Sequence, residues 1–171
     1  SFEKAEELYK RGLKYDVVIH VYTKDAVYAY NLTEDEKRYV QNRQEMIEVF
    51  DQNLDFLKGQ EIVKVLYTNT DFEYLQSIDR DLKDITFDMD VSYSSNRYIE
   101  FNHQGVNKGA GLKKLADLLH IDIQDTIAIG DNYNDLSMIK DAGLGVGVQN
   151  AAPGIKPDCD YVTNATCEQG A

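Results

Sequence analysis

The chain has 171 residues, 43% of them hydrophobic, and a formal net charge of -12, so it is long enough for one or two small domains with an apolar core. Such acidity argues against a general binder of nucleic acid or anionic membranes, which meets phosphates with clustered Lys and Arg. No apolar run approaches the roughly 18 residues of a membrane span and no signal-peptide pattern is present, so the cytoplasm is the expected compartment. Cys159 and Cys167 lack metal-site spacing and read as free thiols.

In chain order, Phe2, Ala5, Leu8, Tyr9 and Leu13 recur at helical spacing. The β-rich runs 17–23 and 26–30 read as a hairpin across Lys24-Asp25. Thr33 with Glu36 has capping-box spacing and predicts a helix running towards Phe50; Gly59 and Gln60 lead into a strand over 62–68. Thr70 with Glu73 repeats the box before a helix ending near Lys83, and strands are predicted over 85–93 and 97–102. This order is that of an α+β layer with an antiparallel sheet. After Asn107 helix and strand alternate: a helix over 108–120 with Leu112, Leu115, Ala116 and Leu119 on one face, a strand over 126–129, a helix over 135–142, a strand over 144–148, a turn around 151–155, and a short strand at Tyr161-Val162. Alternation of this kind predicts a parallel, doubly wound sheet. Two domains are therefore expected, over 1–104 and 105–171.

The stretch TIAIGDNYNDLSM, over 126–138, carries the chemistry. A short β-branched run, expected to be buried on both faces, ends at Gly130, which allows a tight exit; Asp131, Asn132, Asn134 and Asp135 then fall where a helix begins. Ligands bind at that position in open α/β sheets, and a carboxylate there suits a hard cation such as Mg2+. A turn with a helix N-cap would explain one of these residues but not all. Lys108 sits at a helix N-terminus, where the macrodipole disfavours a cation, so an anion is expected nearby. Asn107 reads as the cap of that helix and Asn132 as a structural residue. Asn150 is left between a turn role and support of the metal loop. Gly143, Gly145 and Gly147 fall before and within a strand, so they do not form a dinucleotide-binding loop. Tyr22, Tyr28, Tyr30, Tyr93 and Tyr98 are left between packing and lining a pocket.

GDNYND at 130–135 resembles the fourth motif of the haloacid dehalogenase superfamily in the GDxxND form of its Cof-type branch. GVNKG at 105–109 resembles the third motif, and AGLGVGVQNAAPGIKPDCDYVT at 142–163 resembles the segment after the fourth. The similarity covers roughly 98–163. It implies the C-terminal half of a Rossmann-like core following a large α+β cap. It also implies a Mg2+-dependent phosphatase of small phosphorylated metabolites, sugar phosphates foremost, working through an aspartyl-phosphate. Asp131 would bind Mg2+, Lys108 would contact the phosphoryl group and steady the nucleophile, Asn134 would donate to phosphate, and Asp135 would orient Lys108 or support the metal.

One departure is large. The family's nucleophile opens a DxD motif on the first core strand, and a Ser or Thr motif follows; neither appears here. Asp79-Arg80-Asp81 lies in a helical pattern and Asp88-Met89-Asp90 in an alternating strand. With no initiator Met at Ser1, the chain is expected to be the C-terminal part of a longer protein, inactive alone. An unpaired strand edge would then lead it to rearrange or self-associate. The competing expectations are a non-catalytic binding protein on a degenerate fold of this family, and a phosphomutase or phosphotransferase using the same residues.

Overall fold

A computed structural model describes residues 1–169. The chain divides into two units, the first made of Ser1–Val91 and Asn96–Gln104, the second of Ser92–Ser95 and the chain from Gly105 onward.

A six-stranded sheet is made of β1 (Val18–Thr23), β2 (Val27–Tyr30), β3 (Ile47–Val49), β4 (Ile62–Thr68), β5 (Met89–Ser94) and β6 (Tyr98–His103), in the order β3-β2-β1-β4-β6-β5, and all of it but the last three residues of β5 belongs to the first unit. Strand β1 runs antiparallel to β2 and β4, and β4 antiparallel to β6. Helices α1 (Phe2–Gly12), α2 (Glu34–Val40), α3 (Phe72–Asp81) and α4 (Lys83–Thr86) complete it. The register aligns Ile19, Tyr67 and Ile99 in one row, all fully buried. The Tyr67 hydroxyl donates to the Leu8 carbonyl of α1. At Gly12 a Cβ would stand 2.7 Å from the Ile19 Cδ1, so glycine lets α1 lie close on the sheet. Because side chains alternate along a strand, the opposite face carries the rows Val18, Thr68, Tyr98 and His20, Leu66, Glu100.

Three elements differ from the sequence reading. Helix α2 ends at Val40, not near Phe50: residues 41–44 supply no apolar face, Asn42 takes the left-handed conformation at φ 63° that Asn tolerates, and Ile47–Val49 pairs parallel to β2. At its start Thr33 Oγ1 accepts from Glu36 N at 3.2 Å, but the Glu36 carboxylate does not close the capping box. It turns inward, fully buried, to take Arg97 Nη2 at 2.6 Å and Tyr98 OH at 2.8 Å. Asp71, and not Thr70, caps α3, accepting from Tyr74 N at 3.0 Å. Ile85 and Thr86 belong to a helical turn, their N–H groups donating to the Leu82 carbonyl, so the strand begins at Met89.

The second unit contains α5 (Lys108–Leu119), β7 (Ile127–Gly130), α6 (Leu136–Asp141), β8 (Leu144–Gly147) and β9 (Tyr161–Val162). Its strands are parallel, in the order β7-β8-β9, with Ile127 opposite Leu144 and Gly130 opposite Gly147. Ile139, Val148, Ala151 and Ile155 form its core, with Leu136 and Cys159 packed against them. Strand β7 is buried on one face only, a correction to the expectation of two. Ala128 is 4% exposed, whereas Ile127 is 63% and Ile129 45% exposed, because no described residue of this unit covers the second face of β7. On α5, Ala116 is buried but Leu115 and Leu119 stand in solvent.

His20 is 1% exposed in the first unit. Burial, reinforced by the Lys64 and Arg97 cations, pushes its imidazole down to about 4. It is neutral at pH 7, so its 3.5 Å approach to Glu36 Oε1 is not an ion pair there. A depressed histidine pKa means that the unfolded chain binds a proton which the folded chain refuses. The stability involved is present above pH 6.5 and is lost as pH falls towards 4, by roughly 3 kcal/mol. Urea unfolding at pH 7, 6, 5 and 4 should show this decline in the native protein and a weaker one in His20→Gln; equal slopes in the two would refute the assignment.

Candidate active site

Strand β7 delivers its last residue, Gly130, into a loop that turns through a 3-10 helix (Tyr133–Asp135) directly into α6. That turn brings Asp135 back over the strand end. A Cβ at Gly130 would lie 2.4 Å from the Asp135 Cβ, so the glycine leaves room for the aspartate. The Asp135 carboxylate is buried, at 4% exposure. Its Oδ2 accepts from the N–H groups of Asp131 at 2.9 Å and Asn132 at 3.1 Å, and its Oδ1 takes the Lys108 ammonium.

Lys108 is the first residue of α5, whose cap is Asn107, accepting from Ala110 N at 2.9 Å. The anion that its position called for is therefore supplied by the chain itself. Burial pushes the Asp135 carboxyl up, but the Lys108 ammonium and the two loop N–H groups outweigh it and hold the group below the usual carboxylate range. Asp135 is thus ionised at neutral pH, and Lys108, with its side chain 47% exposed, keeps solvent access while fixed at one end.

Asp131 is exposed, but its backbone is held on both sides: its N–H by Asp135 Oδ2, its carbonyl by Ala152 N at 2.8 Å. Asn132 Oδ1 accepts from Tyr133 N at 2.8 Å, and Asn134 is half-buried on the same turn. Lys108, Asp131, Asn134 and Asp135, 27 residues apart at the extremes of the Lys108 to Asp135 contact, thus lie around one strand end. Two further residues join the fastening. Ser137 Oγ accepts from Gly109 N at 2.9 Å, and at Gly109 a Cβ would meet the Ser137 carbonyl oxygen at 2.7 Å, so α5 and α6 approach there at backbone distance. A serine in the first turn of a helix carries no signal in sequence that it serves another helix.

The sequence profile of the haloacid dehalogenase-like hydrolases matches residues 1–171. The chain belongs to that family. Over 83 residues, 48% of its length, it is 40% identical to the 5-amino-6-(5-phospho-D-ribitylamino)uracil phosphatase YcsE of Bacillus subtilis, covering 33% of that protein. Over 83 residues it is 39% identical to a phosphoglycolate phosphatase of Methanosarcina acetivorans, covering 37% of it. Among solved structures it resembles a haloacid dehalogenase-like hydrolase of Bacteroides thetaiotaomicron, with TM-score 0.72, 28% identity, and coverage of 95% of this chain and 61% of the other. A subclass IIB sugar phosphatase of the superfamily shares the fold at TM-score 0.83 and 17% identity, with the same coverage. The matched region thus spans about a third of these curated relatives.

The remaining sequence candidates are placed as follows in this haloacid dehalogenase-like hydrolase. Gly145 and Gly147 lie within β8 and Gly143 just before it. The Asn150 side chain donates to Cys167 Sγ and Glu168 Oε2 and accepts from Cys167 N, tying down the C-terminal segment; from the stretch after β8 it is the Ala152 N–H that bonds to the Asp131 loop. Asp79 of α3 is paired with Lys83 of α4, and Asp88, just ahead of β5, with Lys4. Tyr22 donates to Gln44 Oε1 and Tyr98 to Glu36 Oε1; Tyr28 packs edge-on to Phe56, and Tyr30 to Tyr9.

Gly130→Ala should push Asp135 off the strand end and cost about 1–3 kcal/mol, the usual effect of overpacking. Denaturation of the 171-residue chain checks this, and a stability within about 0.5 kcal/mol of the native protein, no larger than the effect of a neutral surface change, would contradict it.

Proposed function

We propose that this chain is the cap and the C-terminal core portion of a Mg2+-dependent phosphatase of small phosphorylated metabolites, sugar phosphates among them. The observation that carries the reading is a lysine ammonium fixed on a buried carboxylate beside an exposed, backbone-anchored Asp131 at the end of a parallel strand. That arrangement suits charge developing on a phosphoryl group, because its donors are positioned before the substrate arrives. The family match and the phosphatase names of the two relatives support it.

The residues fit Mg2+. A hard cation of this kind takes one or two carboxylates, keeps waters, and uses substrate phosphate oxygens for the rest. Asp131 offers one such carboxylate, since Asp135 is committed to Lys108 and the loop. Asp131 is the one side-chain ligand assigned to this chain, and the remaining ligands are assigned to water, substrate phosphate and residues outside it. When bound, Mg2+ supplies charge neutralisation on the phosphoryl oxygens. Lys108 is assigned the phosphoryl oxygen and the nucleophile carboxylate, Asn134 a hydrogen bond to phosphate, and Asp135 the orientation of Lys108.

The nucleophile of the aspartyl-phosphate route is assigned to a segment outside these residues, because neither aspartate pair within them follows a strand of the second unit. Residues 1–104 are assigned the role of substrate-specificity cap and the remainder that of core. The open edge and exposed face of β7, with Ile127 and Ile129, support self-association of the 171-residue chain. Among the described residues no helix is long and apolar enough to cross a membrane; the compartment assigned to the chain is the cytoplasm.

Full-length protein should hydrolyse p-nitrophenyl phosphate in a Mg2+-dependent manner, and Asp131→Ala should lower kcat by about 10²-fold or more. Undiminished turnover in that variant would overturn the assignment.

A further inference from the structure

We infer that Ser137 is a positioning residue of the site, one that fixes where Lys108 stands by holding the main chain beside it. The start of a helix leaves N–H groups without partners inside that helix. In α5 the Ala110 N–H goes to the helix's own cap, Asn107, whereas the Gly109 N–H goes to the Ser137 hydroxyl of α6 at 2.9 Å. Gly109 is buried, so losing the hydroxyl leaves its N–H without a partner, an outcome more costly than the bond itself is favourable.

The ion pair with Asp135 does not place Lys108 by itself. A flexible alkyl stem separates the ammonium from the main chain, and with its head alone held the stem can pivot about the carboxylate while the start of α5 drifts. Once residue 109 is tied to Ser137, both ends of the stem are held. They are held by the same segment, since Asp135 and Ser137 stand two positions apart where α6 begins. Asp135 also takes the Asp131 N–H. The Lys108 ammonium and the loop that carries Asp131 are thereby referred to one frame.

Glycine at 109 belongs to the same fit. A Cβ there would strike the Asp141 carboxylate and stand 2.7 Å from the Ser137 carbonyl oxygen, so a bare backbone is what lets α5 rest this close on α6. A second polar contact joins the two helices one turn further along α5, Lys113 Nζ to Asp141 Oδ1 at 2.7 Å. Its side chains are 54% and 28% exposed, and ion pairs in such a setting contribute little. The registry of α5 at Lys108 is therefore assigned to Ser137 and not to Lys113. Charge on a transferring phosphoryl group is stabilised by donors placed in advance, and a displacement of about 1 Å can cost roughly a hundredfold in rate. Ser137 acts through Lys108, so its loss is felt in turnover and not in substrate affinity. That kinetic consequence rests on the phosphatase reading, whereas the geometric one does not.

Ser137→Ala, Ser137→Thr and Lys113→Ala together test the assignment. In the 171-residue chain the NMR order parameter of the Lys108 Cε–H bonds reports how tightly the stem is held, with no catalytic readout. It should fall in Ser137→Ala, return to the native value in Ser137→Thr, which keeps the hydroxyl, and stay native in Lys113→Ala. In the full-length protein with Mg2+ and p-nitrophenyl phosphate, Ser137→Ala should lower kcat by about tenfold or more while KM changes by less than about twofold. Ser137→Thr should restore kcat, and Lys113→Ala should leave it unchanged. A native full-length protein without Mg2+-dependent hydrolysis would sink the phosphatase reading and leave the order parameter to decide on Ser137. The inference is overturned if the Lys108 order parameter in Ser137→Ala equals the native one, if an active full-length enzyme keeps its native kcat in that variant, if Ser137→Thr restores neither quantity, or if Lys113→Ala matches Ser137→Ala in both.

Discussion

The buried carboxylate of Asp135 receives three donors from two parts of the site: the Lys108 ammonium from the start of α5, and the N–H groups of Asp131 and Asn132 from the loop that leaves β7. An ionised carboxylate at this depth is tolerated only when its lone pairs are occupied by such partners. The constraint runs in both directions. The loop cannot move without exposing the carboxylate to an unpaired state, and Lys108 cannot leave the helix terminus, where the dipole opposes it, without giving up its counter-ion. Gly130 belongs to the same device, since any side chain there would occupy the space that the Asp135 side chain fills. Asp131 is left as the one carboxylate of the loop that faces solvent while its backbone is immobile. That division of labour, one aspartate as anchor and the other left open to solvent, is what the proposed metal and phosphoryl site rests on.

The first unit uses the same physics for a different end. Glu36 is fully buried and is satisfied by Arg97 and Tyr98, while His20 beside it stays neutral. Such a pair is a poor source of net stability but fixes geometry strongly, since removing either partner strands the other in a low-dielectric setting. Here it fixes α2 against the sheet. Among the described residues each unit thus contains one buried carboxylate held by one cation.

What could be read from sequence, and what could not, follows from range. Strand β4 falls on residues 62–68 and β9 on Tyr161-Val162, as expected, because β-branched runs between turn residues are local signals. The Asn107 cap of α5 was equally local. The Lys108 to Asp135 contact was anticipated through a motif resemblance; its geometry, with Asp135 also closing the loop through two N–H groups, was not. Glu36 looked like half of a capping box because its true partner, Arg97, lies 61 residues away. Thr70 looked like a cap beside Asp71 because both residue types serve, and only the backbone decides between them. The run at β7 read as buried on two faces, but burial depends on what packs on the sheet and not on the strand, and Ile127 and Ile129 lie on an uncovered face.

The central claim is that Asp135 holds the loop bearing Asp131, and native-state hydrogen exchange at the Asp131 and Asn132 amides tests it most directly. Hydrogen bonds to an ionised group contribute about 1.5–3 kcal/mol, so both amides should be protected in the native chain and should exchange at least tenfold faster, by that same figure, in Asp135→Ala. Unchanged protection at both amides in that variant would contradict the account.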